Sequence, residues 1–412
     1  MSETTVIVGA GQAGLQAAVS LRQGGFDGRI VLLGEERHLP YQRPPLSKQV
    51  LKGEYDADRC SLRQRDFLET QRIDWRPEIR AVAVDGRRGQ LGLSDDRLID
   101  WDHLVIATGA RLNRVRVSGS GLTGVHYLRT IDDALGLRDA LAGAPRLVVA
   151  GGGYIGLEVA SSARALGCEV DVVEAQPVLM QRAALPPIAE HLLERHRAEG
   201  VRFHLGRLMT EIHGVGRVQA VSLDDGTLID ADLVLKGIGV RPNVDWLEDS
   251  GIETARGVLV DAACRTNLTN VFAAGDCAET RHPLYAEPVV LESVQNAVTQ
   301  GKLCAAAILD QTARYDDVPW FWSEQFDLRL QMAGLPQGGD EVVVRKPDNG
   351  GLTVLSVGPD RLHAIQCVDS PRDYMAGRRL IAARDAIERG RLLDESVALG
   401  DLLEPLPQKE AT

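Results

Sequence analysis

The feature that most constrains this chain is a glycine turn that occurs twice. Residues 147–160, LVVAGGGYIGLEVA, read as a short apolar strand, a tight turn and the start of a helix, with Gly151, Gly153 and Gly156 spaced as G-x-G-x-x-G. The same spacing recurs at Gly9, Gly11 and Gly14 in TTVIVGAGQAGLQAA. In such a turn the first glycine permits the sharp reversal, the second lets backbone approach a pyrophosphate, and the third lets helix pack on strand. The free amides of the helix start then face an anion. One such turn alone is weak evidence, because glycine-rich turns are common. Here each copy follows a β-branched strand, opens an alanine-rich helix, and leads to a second strand that ends at an acid: Glu35 after RIVLLG, and Glu174 after EVDVV. Both acids lie near the ~20-residue offset at which a carboxylate meets a ribose hydroxyl. Two nucleotide seats in one chain suggest a relay between them, and the two units resemble an internal duplication with one inserted into the other.

At 412 residues the chain is too long for one ordinary core, so two or three domains are expected. A formal net charge of −12 argues against nucleic acid as the main partner, which would need a basic surface. No apolar run approaches the roughly 18 residues of a spanning helix, so no membrane segment is expected. The first strand starts at about residue 5, which leaves no room for a signal segment before it, and a cytoplasmic location is expected. The six cysteines, Cys60, Cys168, Cys264, Cys277, Cys304 and Cys367, are scattered with no C-x-x-C and no metal-ligand spacing. Reduced, partly buried thiols and no metal site are expected.

After the first βαβ unit comes HLPYQRPPLSKQVL, in which Arg43, Pro44 and Pro45 suggest an extended backbone that presents Arg43 and Lys48 beside a bound nucleotide. HLVIATGAR is a buried strand running into Thr108 and Gly109, where glycine allows close approach to a ligand. The loop Gly239 to Asn243 looks like a crossing point between domains. NVFAAGDCAET delivers Asp276 at the carboxyl end of a strand, where ligands gather in open parallel sheets. A helix is expected from about Leu291 to Leu309. From about Pro319 the pattern changes to strands near 327–333, 341–344, 352–357 and 362–368, followed by a helical stretch, MAGRRLIAARDAIERG. Trp320 and Trp322 stand two apart, so in a strand they share a face.

Assembled in order, G-x-G-x-x-G with Glu35, RPPLSK (43–48), ATGAR (107–111), GGGYIGLE (151–158), GVRPN (239–243), AAGD (273–276) and PWFWSEQFDL (319–328) resemble one family over nearly the whole length. It is the FAD-containing, NADH-dependent ferredoxin reductases of bacterial oxygenase systems, the putidaredoxin reductase-like group. The resemblance implies an α/β fold with two Rossmann-like dinucleotide-binding domains, glutathione reductase-like, plus a small α+β carboxy-terminal domain. It implies FAD binding by residues 1–113 and 241–318, NADH binding by 114–240, and a carboxy-terminal domain over 319–412. By the same resemblance, FAD meets Gly9, Gly11, Gly14, Glu35, Arg43, Lys48, Thr108, Gly109, Arg111, Asp276 and Trp322. NADH meets Gly151, Gly153, Tyr154, Ile155, Gly156, Glu158, Glu174 and Gly239. Lys48 and Glu158 are implied to pair beside the flavin and to serve catalysis. Glu174, which accepts from a free 2'-hydroxyl and repels a 2'-phosphate, with no arginine in Ala175 to Pro177, points to NADH over NADPH. The implied partner is a small acidic [2Fe-2S] ferredoxin, steered by Arg372, Arg378, Arg379, Arg384, Arg389 and Arg391 despite interleaved Asp373, Asp385 and Glu388. A monomer or weak homodimer is expected.

Three rivals share the architecture. A disulfide reductase needs a cysteine pair beside the flavin, and the C-x-x-x-x-C after the first βαβ unit is absent. An NADH oxidase or peroxidase usually relies on a cysteine near the position of Arg43 to Lys48, where none lies. A redox-sensing interaction protein of the apoptosis-inducing-factor type also carries the proline-rich lysine segment.

Overall fold

Alternating β-branched strands and alanine-rich helices build two parallel sheets, one around each glycine turn. The computed structural model describes residues 3–285, 287–346, 350–387 and 389–403. The chain begins with β1 (Thr4–Val8), α1 (Gln12–Gln23), β2 (Arg29–Leu33), β3 (Ile73–Arg76), β4 (His103–Ile106) and β5 (Val125–His126). The second glycine unit follows as β6 (Arg146–Ala150), α2 (Tyr154–Ala165), β7 (Glu169–Glu174), α3 (Pro186–Ala198), β8 (Arg202–Leu205) and β9 (Leu233–Lys236). Next come β10 (Val271–Ala273) and α4 (Val294–Ile308). The last elements are β11 (Trp320–Gln325), β12 (Leu328–Gly334), β13 (Glu341–Arg345), β14 (Leu352–Val357), β15 (Leu362–Val368) and α5 (Pro371–Ala383). These elements form two compact units. The first takes the stretches up to Arg114, Arg129–Leu135 and Gly239–Asp316; the second takes Val115–Leu128, Gly136–Ile238 and the chain from Asp317 on.

In the first unit the sheet order is β10-β4-β1-β2-β3, parallel throughout. The order reverses between β1 and β4, and an open α/β sheet holds its ligand in the crevice outside the strand ends at such a point. Val6, Val31, Leu104 and Val271 anchor the core beneath it. Helix α4 packs closely on α1 because Gly301 has no side chain: a Cβ there would lie 2.6 Å from the Ala13 carbonyl oxygen.

The second unit repeats the plan with the order β8-β7-β6-β9-β5, again parallel, and reverses between β6 and β9. It also carries an antiparallel sheet, β11-β12-β15-β14-β13. One face of that sheet supplies Leu330, Leu352 and Val354 to a core shared with Leu157 of α2 and Ile188 and Leu192 of α3. Helix α5 packs against β15, where Gly377 makes room for Ile365, whose Cδ1 would be 2.4 Å from an added Cβ. Covered on both sides, β14 is buried at every residue. The fold is therefore α/β with two Rossmann-like sheets and a small carboxy-terminal sheet domain. No helix among the described residues is long and apolar enough to cross a membrane. Among those residues no cluster of three or more His, Cys, Asp or Glu side chains is placed to hold a metal ion.

Three local expectations are corrected. The RPPLSK segment is not extended: Arg43 is in the right-handed helical region, and Pro44–Ser47 form a 3-10 turn whose Pro45, Leu46 and Ser47 are buried. The fixed φ of proline suits a first helical turn as well as an extended chain. Helix α4 starts at Val294, not near 291, because the Ser293 hydroxyl accepts the Asn296 N–H at 3.1 Å as an N-cap. The helix expected over 375–390 begins earlier, with Pro371 in its first turn. It stops at Ala383, where Arg384 turns left-handed with φ +59°, and a short helix Arg389–Leu393 follows. Glu388 lies outside the described residues.

Candidate nucleotide-binding sites

The two glycine turns have the same stereochemistry. Gly9 and Gly151 adopt φ +112° and +117°, and a Cβ on either would fall 2.1 Å from the Ala107 oxygen or 2.3 Å from the Gly237 oxygen. The third glycines are equally confined, since Cβ atoms on Gly14 and Gly156 would lie 1.9 and 2.0 Å from the Gly9 and Gly151 oxygens. The second glycines are the opposite case: around Gly11 and Gly153 an added Cβ would meet nothing within 4 Å. Each of these is the N-cap of its helix, extended and without a side-chain cap, so the first-turn amides are left to a ligand. Open space at the one position and packed backbone at the other two are what a bound pyrophosphate requires, and both turns fit a dinucleotide.

In the first unit, basic groups collect around Glu36, Tyr41 and Asp276. Arg43 donates to Glu36 Oε1 at 2.8 Å and to the Tyr41 hydroxyl at 2.9 Å, and also to the carbonyl of Arg129. Arg129 in turn donates to Asp276 Oδ2 at 3.2 Å. Burial works against the Arg43 charge, yet Tyr41 and Glu36 outweigh it and the pKa is raised. Arg129 has its pKa lowered, by burial first and then by the Arg43 charge, with Asp276 opposing. Two guanidiniums held this close are relieved by an anion. Gly109, at φ +63°, would place a Cβ 3.4 Å from Arg129 Nη2. Thr108 donates to the Asn243 carbonyl at 2.8 Å, and the stretch Val240–Pro242 pairs antiparallel with Ala110–Leu112. Asn113 N–H reaches the Gly239 carbonyl at 3.0 Å, and Arg111 is ion-paired with Asp245.

At the carboxyl end of β10, Asp276 sits in a 3-10 turn, and Gly275 N–H donates to Gln300 Oε1 at 2.8 Å. Beside it at the start of α4, Asn296 Oδ1 and Gln300 Nε2 are buried with no partner among the described residues, polar atoms that suit a hydrogen-bonding ring or chain. Glu35 follows β2 with its side chain 64% exposed, and its Oε1 lies 3.8 Å from Arg80 Nη1. Lys48 is buried at the end of the proline turn.

In the second unit Glu174 is fixed by the turn it serves. Its Oε2 accepts the Gly152 N–H at 2.6 Å and its Oε1 accepts the Gln176 N–H at 2.8 Å. Arg207, whose N–H meets the Glu174 carbonyl, sends its guanidinium to Asp225 at 2.7 Å instead. Tyr154 opens α2 with its ring 4.5 Å from that of Phe321 and its hydroxyl 2.8 Å from Met332 Sδ. Burial, then the Glu158 charge, raises its pKa. Ile155 is exposed, and one turn after Tyr154 the Glu158 carboxylate is buried and accepts from Ser323 Oγ at 2.7 Å. Trp320 and Trp322 share a face of β11 with ring centroids 5.5 Å apart, and Arg378 lies over the Trp320 ring. Arg372, Arg379, Arg384 and Arg389 are exposed, Arg389 being ion-paired with Glu341; Arg391 donates to the Asp401 carbonyl at 3.3 Å.

The structure thus gathers Gly9, Gly11, Gly14, Glu35, Arg43, Lys48, Thr108, Gly109, Arg111 and Asp276 in one unit, along with Gly239, which was expected on the NADH side; Gly151 to Gly156, Glu158 and Glu174 lie in the other, along with Trp322, which was expected at the flavin. Sequence reasoning missed Arg129. Its signal was T-x-x-D: Thr130 and Asp133 form a reciprocal cap, with Asp133 Oδ2 accepting the Arg129 and Thr130 N–H groups at 3.0 and 2.9 Å, which fixes Arg129 just before a helix.

Two family models match the chain: pyridine nucleotide-disulphide oxidoreductase over residues 3–301 and reductase C-terminal over 320–403. Rhodocoxin reductase of Rhodococcus erythropolis is 42% identical over 92% of this chain and 89% of its own. The crystal structure of the ferredoxin reductase for the CYP199A2 system from Rhodopseudomonas palustris is 40% identical, with a TM-score of 0.92 over 96% of this chain and 98% of that one. The covalent putidaredoxin reductase–putidaredoxin complex includes a chain 35% identical, with a TM-score of 0.93 over 97% of this chain and 98% of that one.

Proposed function

This chain belongs to the pyridine nucleotide-disulphide oxidoreductase family, and from that premise we propose that it is an FAD-containing reductase that takes a hydride from NADH and passes electrons singly to a [2Fe-2S] ferredoxin serving an oxygenase. The observation that carries the reading is the pair of equivalent cradles, each with an uncapped helix start and an open second glycine. Despite the family's name, no cysteine stands in the Arg43 to Lys48 segment, and all six cysteines are free and buried.

FAD, when bound, accepts electrons as a pair and releases them one at a time. We assign it to residues 1–113 and 241–318, joined by Arg129 from the stretch between them that packs in the same unit, with Gly9, Gly11 and Gly14 under the pyrophosphate, Glu35 on the ribose, and Arg43 and Arg129 neutralising the phosphates. Lys48, Thr108, Gly109, Arg111 and Asp276 complete that seat. NADH is assigned to 114–240. There Gly151, Gly153 and Gly156 take its pyrophosphate, Glu174 selects its free 2'-hydroxyl, and Tyr154, Ile155, Glu158 and Gly239 line the rest. The residues' task is alignment, because hydride passes directly only when donor and acceptor atoms are about 3–3.5 Å apart; Lys48 and Glu158 are the groups assigned to that step. Trp322 is assigned to the flavin edge, the exposed arginines of the 319–412 region to the ferredoxin side, and the enzyme to the cytoplasm as a monomer or weak dimer.

Stopped-flow mixing of the yellow holoprotein with NADH is expected to bleach the flavin rapidly, and added [2Fe-2S] ferredoxin is expected to be reduced in turn. Bleaching without ferredoxin reduction, accompanied by oxygen uptake, would move the reading to an NADH oxidase. No bleaching would end it.

A further inference from the structure

Strand β11 alternates, with Trp320, Trp322 and Glu324 on one face and Phe321, Ser323 and Gln325 on the other. From the second face a chain of hydrogen bonds runs through the interior of the second unit. His196 Nε2 lies 2.9 Å from Gln325 Oε1, Gln325 Nε2 donates to Ser323 Oγ at 3.1 Å, and Ser323 Oγ donates to Glu158 Oε1 at 2.7 Å. No member of the chain is more than 4% exposed.

The chemistry of the groups sets the direction of every link. A carboxylate only accepts, so Ser323 donates, and its oxygen then accepts from the Gln325 amide. That places the Gln325 carbonyl toward His196, which must donate from Nε2. His196 is therefore the neutral Nε2–H tautomer. Its Nδ1 has no partner among the described residues, and the ring lies between Phe203 and Phe326 at 6.0 and 4.9 Å. Burial pushes the imidazole pKa down to about 4, which keeps the ring neutral at physiological pH.

The turn that follows is built around the same groups. Phe326 has φ +56°, a conformation that bulky residues rarely adopt. Its N–H donates at 2.6 Å to the hydroxyl of Ser161, three residues after Glu158 on α2. Strain of this kind persists where the surroundings over-determine it. Hydrophobic side chains would fill this core without needing any partner, whereas a buried polar chain must be satisfied at every link.

We propose that Ser323 is a positioning residue for Glu158: the one-way chain from His196 through Gln325 and Ser323 holds the carboxylate in a single orientation and thereby sets the geometry of hydride transfer. The inference rests on the role assigned to Glu158 above. It is tested with Glu158→Gln, Ser323→Ala, Ser323→Thr and the Glu158→Gln/Ser323→Ala double variant, all as FAD-loaded protein. For each, the limiting rate of flavin reduction is measured by stopped flow against NADH concentration. Loss of a hydrogen bond to a charged group is expected to slow that rate by about ten- to a hundredfold in Ser323→Ala. NADH affinity is expected to change less than about twofold, because the change touches orientation and not the ribose or pyrophosphate contacts. Ser323→Thr restores the rate, and Ser323→Ala adds nothing in the Glu158→Gln background. If Glu158→Gln is as fast as the parent, the role given to Glu158 fails. If it is slow while Ser323→Ala is fast, or if the two losses add fully, the positioning inference fails. Nitrogen-15 NMR of His196 in the unaltered protein gives a reading that needs no variant to fold: the Nε2–H tautomer supports the chain, and the Nδ1–H tautomer overturns it.

Discussion

Replacing Glu174 with glutamine changes one formal charge in a group whose two oxygens are already committed to backbone, to Gly152 N–H at 2.6 Å and Gln176 N–H at 2.8 Å. The introduced amide has one carbonyl oxygen, so it satisfies one of those N–H groups and turns its own NH2 toward the other. That penalty loosens the turn for any nucleotide and cancels when two cofactors are compared. What does not cancel is at the ribose. Toward NADH, a charge-assisted bond to the 2'-hydroxyl becomes a neutral one, a loss of about 1 kcal/mol. Toward NADPH, repulsion between carboxylate and 2'-phosphate disappears; unit charges ~4 Å apart in a partly exposed site are worth roughly 1–2 kcal/mol when water screens them. Together these shift the preference by about 2–3 kcal/mol, or some 30- to 150-fold in the ratio of kcat/KM values. The assay is flavin reduction with NADH and NADPH in turn, at one ionic strength, with the pyrophosphate cradle intact. A ratio that moves by less than about threefold would refute the assignment of Glu174 to the ribose.

Arg129→Leu removes the guanidinium held by Asp276 while keeping the backbone carbonyl that receives Arg43; FAD retention after gel filtration is expected to fall, with a dissociation constant raised about tenfold or more. Gly153→Ala meets no atom within 4 Å and has an ordinary extended backbone, so the protein is expected to fold with its flavin and an unchanged Tm. Its KM for NADH should nevertheless rise at least about tenfold, because the methyl group occupies the pyrophosphate's place. The depressed pKa of His196, about 4 when folded against an ordinary 6.5, means that the unfolded chain binds more protons between those values. Its contribution is complete above about pH 6.5 and is lost as pH falls toward 4. Urea unfolding should show a loss of about 2 kcal/mol between pH 7 and 5 that His196→Phe flattens.

Glycine spacing, strand composition and the acid after each second strand made both sheets legible in the sequence, because those signals are local. Strands β12 to β15 were visible for the same reason. The proline turn was misjudged because proline's φ fits two conformations and only burial of Leu46 and Ser47 decides between them. Arg129 was passed over because its partners, Arg43 and Asp276, lie far away in the chain. Ser323, Gln325 and His196 were invisible as a set: nothing in PWFWSEQF announces that Ser323 answers a carboxylate on α2, or that Gln325 answers an imidazole on α3. Such contacts depend on which faces of β11, α2 and α3 meet, and that is decided by the packing of Leu157, Ile188 and Leu330.

The alternation along β11 has a consequence for how this protein can change over generations. Side chains in a strand repeat every two residues, so the tryptophan face and the serine–glutamine face are locked half a period apart. Pairing with β12, from Trp320 opposite Ala333 to Gln325 opposite Leu328, leaves no slack to absorb a slip. An insertion or deletion of a single codon within β11 would turn every residue on one side of it to the opposite face unless a bulge absorbs the change, so lineages descending from this chain can drift in β11 by substitution far more readily than by changing its length by one.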